Sequence, residues 1–345
     1  VSVEAFLYET LPEGRVRCGT CCHRCELGLG QEGFCRTRRN EAGRLYTLVW
    51  GKVAGLSANP IEKKPFYHFY PGTKALTMGT WSCNFTCPWC QNCAISKVPP
   101  PPGNAVLEPA EFIRLALEKG CAGTSFSFNE PTLLLEYACA VFPLARERGL
   151  YNTYVTNGYM TPEALELLCR AGLDAMNVDI KGDADAVRRW CGAEVGRVWE
   201  NASKAKREGV HVELTTLVIP GVNDREEAWR EIAGRIVAEL GPETPWHVTR
   251  YHPAYKFHHP RYVPPTPTAV LEQAREAGLA EGLQFVYLGN LPGHPAQNTY
   301  CPGCAAVLIE RDLFTVTANY LVAGNRCPGC GREIPLRGGS TSSPC

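Results

Sequence analysis

The sequence predicts an α/β fold built on a parallel sheet, open or barrel-shaped, with a small cysteine-bearing module at each end. Three observations carry this. Between about residues 73 and 290, short strand-like apolar runs alternate with longer amphipathic ones, as repeated strand–helix units do. Several of the helical runs open at Pro or Thr-Pro and close at Gly, the asymmetry of helix ends. The cysteines gather in short-spaced groups, as metal ligands do.

In chain order, residues 1–72 form an N-terminal zone that holds the first cysteine set and then NPIEKKPFYHFYPG, rich in aromatics and proline. The barrel zone, 73–290, contains strand-like runs ALTMG (75–79), GTSFSF (123–128), YNTYVT (151–156), AMNVDI (175–180), HVELTTLVI (211–219) and WHVTRY (246–251). Helical patterns lie between them: PAEFIRLALEKG, PTLLLEYACAVFPLARERG, TPEALELLCRAG, VWENASKAKREG and REEAWREIAGRIVAELG. VPPPPG (98–103) reads as a stiff polyproline connector. HHPRYVPPTPT is a second proline-rich loop, before a last helix near 268–278 and the strand LQFVYLG. Residues 291–345 form a small cysteine-knuckle module whose Gly/Ser-rich tail ends in Cys345.

The chain has 345 residues, 45% of them apolar, enough for one large domain and small appendages. Lysine plus arginine equals aspartate plus glutamate at 35 each, which gives no support for a nucleic-acid partner. No apolar run approaches the roughly 20 residues that cross a bilayer, and the start lacks a signal-peptide pattern. The expectation is a cytoplasmic protein without a transmembrane segment. In that setting 18 cysteines point to metal ligands rather than disulfides. Cys121, Cys139, Cys169 and Cys191 stand apart from the groups and read as small buried apolar residues.

The segment CNFTCPWC places Cys83, Cys87 and Cys90 directly after the first strand of the central zone. Thiolates are the usual ligands of 4Fe–4S clusters. Three of them leave one iron open to a substrate or cofactor, as an open position does on catalytic zinc. The alternative is a zinc site completed by Cys93 or a distant histidine. At the C-terminal end, CPGC…CPGCG offers Cys301, Cys304, Cys327 and Cys330, a four-thiolate knuckle for zinc or a single redox-active iron. At the N-terminal end, CGTCCHRCELGLGQEGFC offers Cys18, Cys21, Cys25 and Cys35, with Cys22 and His23 as alternates. There a zinc ion would staple the zone, whereas an auxiliary 4Fe–4S cluster could pass electrons.

Other motifs fall at strand ends, where α/β barrels collect functional residues. In FNEP, Asn129 is placed to cap a helix that Pro131 opens, with Glu130 at its positive end. Asp179 and Lys181, two apart on a strand, share a face; a surface ion pair is the plain reading. His252 in RYHPAY follows the sixth strand.

C-x-x-x-C-x-aromatic-C, with Trp89 as the aromatic, resembles the signature of the radical S-adenosylmethionine (SAM) superfamily. The ordered string NPIEKKPFYHFYPGT, CNFTCPWCQN, FNEPT, VTNGYM, VDIKG, IPGVND and YLGN resembles the AmmeMemoRadiSam-system radical SAM enzymes, which are similar to the pyruvate formate-lyase activating enzyme. Both flanking cysteine sets fit that type.

The resemblance implies a partial (β/α)6 barrel with a 4Fe–4S cluster on Cys83, Cys87 and Cys90, its open iron chelating SAM. Trp89 would pack beside the adenine, and Asn129 and Glu130 would meet the SAM ammonium. Thr156 and Asn157 would touch SAM; Lys181, oriented by Asp179, would pair with its carboxylate; His252 would lie near it. Val155 stands where the activating-enzyme pattern has an aspartate linked to a cation site, so that site is not carried over. Lys63 and Lys64 fall at family positions.

The implied oxidoreductase chemistry needs an electron donor such as flavodoxin or ferredoxin. Reductive cleavage of SAM gives methionine and a 5′-deoxyadenosyl radical, which abstracts hydrogen from an unactivated C–H bond. The substrate stays open: a metabolite, lipid or other small molecule, or a protein partner that receives a glycyl radical. A non-catalytic metal-binding module is the third reading.

Overall fold

Strand after strand of the central zone pairs with its predecessor, so spatial order follows chain order. The computed structural model describes residues 3–103, 105–258 and 261–338. Cys345 with its tail, and residues 259–260 of the second proline-rich loop, lie outside them. One eight-stranded sheet contains β1 (Gly55–Pro60), β2 (Lys74–Gly79), β3 (Gly123–Phe126), β4 (Tyr151–Thr156), β5 (Ala175–Asp179), β6 (His211–Val218), β7 (Trp246–Arg250) and β8 (Val286–Gly289). Neighbours from β2 to β8 are parallel. β1 runs antiparallel to β2. All seven predicted runs contain strands, LQFVYLG supplying β8, and β1 adds an edge that the sequence did not announce.

Parallel neighbours need crossovers. Here they are α1 (Pro109–Glu118), α2 (Leu135–Glu147), α3 (Pro162–Ala171), α4 (Val195–Arg207), α5 (Glu226–Arg235) and α6 (Thr268–Ala280). The ends of α3 show why they form. The Thr161 hydroxyl accepts from the Ala164 amide, Pro162 opens the helix, and Gly172 closes it in left-handed geometry.

The strands alternate sharply between two faces. Tyr154, Met176, Val178, Leu214, Val218, Trp246 and Val248 belong to the main core. Their alternates Val155, Asn157, Asn177, Asp179, Thr215, Leu217, His247 and Thr249 line the barrel interior, as a period of two requires.

The terminal zones are small antiparallel sheets. Two three-stranded sheets form the N-terminal zone, one from Val3–Glu4, Arg38–Glu41 and Arg44–Thr47, the other from Tyr8–Thr10, Val16–Cys18 and Glu26–Leu27. Thr299–Tyr300, Val307–Asp312 and Thr315–Asn319 form the C-terminal sheet. Its Leu308 and Ile309 pack with Tyr67, Phe285 and Tyr287.

Candidate active site

A cavity of about 610 Å³ opens among the sheet, the cysteine loop and residues 62–67. Such a volume suits a nucleotide-sized ligand. The loop Cys83–Cys90 leaves β2 through Ser82, whose φ is +68°, and is fastened from several sides. Thr86 donates its amide to the Cys191 carbonyl and its hydroxyl to the Trp190 carbonyl. The Lys97 ammonium donates to the Phe85 carbonyl at 2.8 Å.

Cys83, Cys87 and Cys90 all line the cavity, whereas Cys93, in the short helix Cys93–Ser96, does not. Among the described residues, no three His, Cys, Asp or Glu at this loop bring their ligand atoms within 4.8 Å of one another. A single tetrahedral ion draws its thiolates closer than that. The zinc alternative with Cys93 or a distant histidine therefore does not fit. A cuboidal cluster does, because each sulfur binds a different iron. The Phe85 amide donates to Cys83 Sγ at 3.4 Å, and Cys90 Sγ lies 3.0 Å from Ser96 Oγ. Cys191, buried in the main core as expected, also places its sulfur 3.5 Å from that of Cys87. This hydrogen bond, opposed by burial and aided by the Lys181 charge, holds the Cys87 thiol below its ordinary value. Burial, reinforced by Glu130, pushes Cys83 the other way.

Asn129 and Glu130 line the cavity, yet their polar atoms are occupied. The Glu130 carboxylate accepts from the Thr132 amide and hydroxyl, the Thr156 hydroxyl and the Asn157 amide. Glu130 is thus the cap of the turn Pro131–Leu134, correcting the expectation that Asn129 would cap. Asn129 instead accepts from the Thr80 amide and donates to the Ser82 carbonyl, tying the cysteine loop to the end of β3. Thr156 is buried behind Glu130 and is not among the lining residues. Asn157 lines the cavity and donates to Asn84 Oδ1 at 2.8 Å. Gly158 follows at φ +70°, where a Cβ would come within 2.9 Å of Val178 and Val198.

Asp179 and Lys181 project together as the strand period requires, in an ion pair of 2.8 Å. Burial would lower the lysine, but Asp179 and the thiols of Cys87 and Cys191 hold it well above its ordinary value. Trp89 is buried beside Phe257, with ring centroids 5.6 Å apart. His252 is exposed at the rim. Lys64 is 3% exposed, and among the described residues its ammonium has no ion-pair partner. It sits 4.4 Å over the Phe128 ring. Burial, then Lys63, pulls it down to about 7.

The sequence reading missed the interior wall of Asn177, Thr215, His247 and Thr249. Buried parallel strands are expected to be nearly all apolar, so polar residues at alternate positions were the available signal. His247 is held by Glu213 at 2.6 Å.

The chain matches the Radical SAM superfamily over residues 80–232, a span that starts at the end of β2 and covers the cysteine loop. The chain belongs to the radical SAM superfamily. It is 42% identical over 335 residues, 96% of this chain and 99% of the relative, to "Uncharacterized protein MJ0808" of Methanocaldococcus jannaschii. A GTP 3′,8-cyclase of Nautilia profundicola is 30% identical over 155 residues, 43% of this chain and 48% of the cyclase. The crystal structure of a radical SAM methyltransferase from Sphaerobacter thermophilus shares the fold at 16% identity and a TM-score of 0.51, covering 64% of this chain and 68% of that one. This radical SAM enzyme therefore uses a 4Fe–4S cluster and SAM, and requires an electron donor. No helix among the described residues is long and apolar enough to cross a membrane.

The C-terminal cysteines form a separate site. The ligand atoms of Cys301, Cys304, Cys327 and Cys330 all lie within 4.8 Å of one another. The Cys301–Cys330 and Cys304–Cys327 sulfurs are 3.5 and 3.6 Å apart. Metal–sulfur bonds of about 2.3 Å put tetrahedral sulfurs about 3.8 Å apart, so the set is shaped for one ion. Cys18, Cys21, Cys25 and Cys35 line a third, small pocket.

Proposed function

We propose that this radical SAM enzyme is of the AmmeMemoRadiSam type and removes a hydrogen atom from an unactivated C–H bond of a small molecule that carries an anionic group. The observation behind this reading is one cavity that holds three cysteine thiols at one wall and at another a buried lysine, Lys64, with no ion-pair partner among the described residues.

Cys83, Cys87 and Cys90 would hold the cluster and leave one iron for SAM. When bound, the cluster supplies the electron that opens a carbon–sulfur bond of SAM, giving methionine and the 5′-deoxyadenosyl radical. Lys181, kept charged by Asp179, offers its ammonium to the SAM carboxylate. Trp89, between the loop and Phe257, offers an apolar wall to the adenine, and His252 stands at the rim. Asn129, Glu130, Thr156 and Asn157 act as positioning residues that lock the ends of β2, β3 and β4 together. Lys64 stands apart from these. A buried ammonium without a counter-charge is unfavourable, and an anionic substrate group arriving beside it supplies that charge. Phe314, from the hairpin between the last two strands, lines the same cavity and helps exclude water from the reacting atoms.

The test is anaerobic reconstitution with iron, sulfide, SAM and dithionite, reading 5′-deoxyadenosine with and without an ultrafiltered cell extract. The small-molecule fraction should stimulate its formation, and Lys64→Met should lose that stimulation. Stimulation by the macromolecular fraction alone would replace this reading with activation of a glycyl-radical partner. A fully reconstituted sample that forms no 5′-deoxyadenosine would overturn both.

A further inference from the structure

The N-terminal cysteines pose a question that the cavity does not answer. Cys18, Cys21, Cys25 and Cys35 converge on one pocket with Arg38, walled by Phe34 and Leu133. Their arrangement differs from that of the C-terminal set. There the four sulfurs close to within 4.8 Å; here no three ligand atoms do. None of the four is in a disulfide. Like the set at Cys83, Cys87 and Cys90, this set is thus more open than one tetrahedral ion requires.

The alternates are turned to other work. Cys22 Sγ donates to the Met160 carbonyl at 3.0 Å. His23 Nε2 is 2.7 Å from the carbonyl oxygen of Asn84, which leaves four thiols for the pocket. Donors already face two of the sulfurs: the Phe34 amide lies 3.5 Å from Cys25 Sγ, and Thr37 Oγ1 lies 3.1 Å from Cys35 Sγ. Arg38, 1% exposed, supplies buried positive charge. Among the described residues its one carboxylate partner is Glu136 at 2.8 Å, so the pair is neutral by itself while the guanidinium faces the thiols. A four-thiolate cluster is anionic, and a fixed cation at its edge offsets that charge.

The pocket also borders the catalytic loop. His23 lies between ligands Cys21 and Cys25, and Asn84 immediately follows Cys83. The contact between His23 and Asn84 is therefore a short covalent and hydrogen-bonded path between the two cysteine sets. The His23 ring is also packed against Tyr159, which meets Phe85, with centroids 5.2 and 5.6 Å apart.

We propose that Cys18, Cys21, Cys25 and Cys35 hold a second 4Fe–4S cluster, ligated by protein at all four irons, which relays single electrons from a low-potential carrier to the Cys83–Cys90 loop through the His23–Asn84 contact. One electron enters and one leaves, with no bond made or broken. The relay rests on the function proposed above; occupancy of the N-terminal site does not.

The test counts acid-labile sulfide, which neither zinc nor a single iron at the C-terminal knuckle contributes. Anaerobically reconstituted wild type should hold about eight sulfides per chain, and a Cys83→Ala/Cys87→Ala/Cys90→Ala protein about four. Adding Cys21→Ser and Cys35→Ser to that variant should remove the rest. After reduction, the triple variant should show an electron paramagnetic resonance signal that SAM does not alter, because no iron is open. The wild type should show an additional signal that SAM does alter. A triple variant with no sulfide and a zinc ion bound at the N-terminal set would overturn the proposal, and so would two sulfides. Four sulfides in the triple variant, with no SAM-sensitive signal in wild type, would sink the proposed function and leave the second cluster standing. For the relay, His23→Leu should keep eight sulfides but slow reduction of the SAM-sensitive cluster by flavodoxin at least tenfold. Unchanged reduction would refute the path.

Discussion

Glu213→Gln is the most informative single substitution, because one carboxylate organises the floor of the barrel. Oε1 accepts from the His68 amide at 2.8 Å and from His211 Nε2 at 3.0 Å. Oε2 accepts from the Tyr67 amide at 3.0 Å and from His247 Nε2 at 2.6 Å. An amide can offer only one acceptor oxygen. A histidine facing the new NH2 can change tautomer and accept, but a backbone N–H cannot. Either Tyr67 or His68 then loses its acceptor, at about 1–3 kcal/mol, and the surviving bonds fall from charge-assisted to neutral strength. Together these cost about 3–5 kcal/mol, a fall in thermal midpoint of about 4–7 °C for a chain of this length.

The pH profile sharpens the test. Glu213 is buried, but its hydrogen bonds to His211 and His247 hold its carboxyl well below its ordinary 4.5. Its contribution is present above 4.5 and is lost as pH falls below that value. His68, by burial, is lowered from 6.5 to about 3. The fold thus favours neutral imidazole, a stabilisation present above 6.5 and lost as pH falls toward 3; at about 1.4 kcal/mol per unit it amounts to roughly 5 kcal/mol. Melts of the reduced apoprotein across pH should show variant and wild type falling in parallel between 6.5 and 4.5. Below 4.5 the variant should fall less steeply. A variant within about 1 kcal/mol of wild type, or one that tracks it below 4.5, would refute this account of the barrel floor.

Three further outcomes are expected. Arg38→Met leaves Glu136 buried without its partner, at a cost of about 3–5 kcal/mol in urea unfolding, and Arg38→Met/Glu136→Leu should recover most of it. Lys64→Met should raise stability at pH 7 by roughly 2–4 kcal/mol; wild-type Lys64 loses stabilisation as pH falls from 10.5 to about 7, so melts of the two proteins should converge as pH rises toward 10.5. Cys327→Ser should release one metal ion, measured by elemental analysis, and lower the thermal midpoint without changing the labile-sulfide content.

The sequence was most legible where period and chemistry coincide. The strand runs at 151–156 and 211–219 fall on β4 and β6 because buried β-branched and aromatic residues fill them. The three cavity thiols, Trp89, Asp179 and Lys181 were visible by motif. The N-terminal sheets were not, since strands such as Val3–Glu4 and Glu26–Leu27 are too short to show alternation. β1 was hidden for another reason: GLSANP contains residues depleted in strands, and antiparallel pairing to β2 overrides that preference. Glu130 took the capping part expected of Asn129 because each had more than one possible partner, and only the packed strand ends decide which is reached. Cys191 gave no signal, since its approach to Cys87 depends on the turn Val187–Cys191 rather than on spacing.

The segment that brings Lys63 and Lys64 to the cavity is finished by residues made much later. His68 Nε2 meets the Tyr287 hydroxyl at 2.6 Å, and His68 Nδ1 meets the Pro335 carbonyl at 3.1 Å. Arg311 donates to the Tyr67 carbonyl at 3.0 Å, and the Arg337 amide donates to the His68 carbonyl. During synthesis, residues 62–70 must wait until residues 287–337 have left the ribosome before these partners exist. A product that stops before residue 337 can fold its early sheet strands yet lacks the finished wall opposite the cysteine loop, so synthesis through that residue gates the assembly of a competent enzyme.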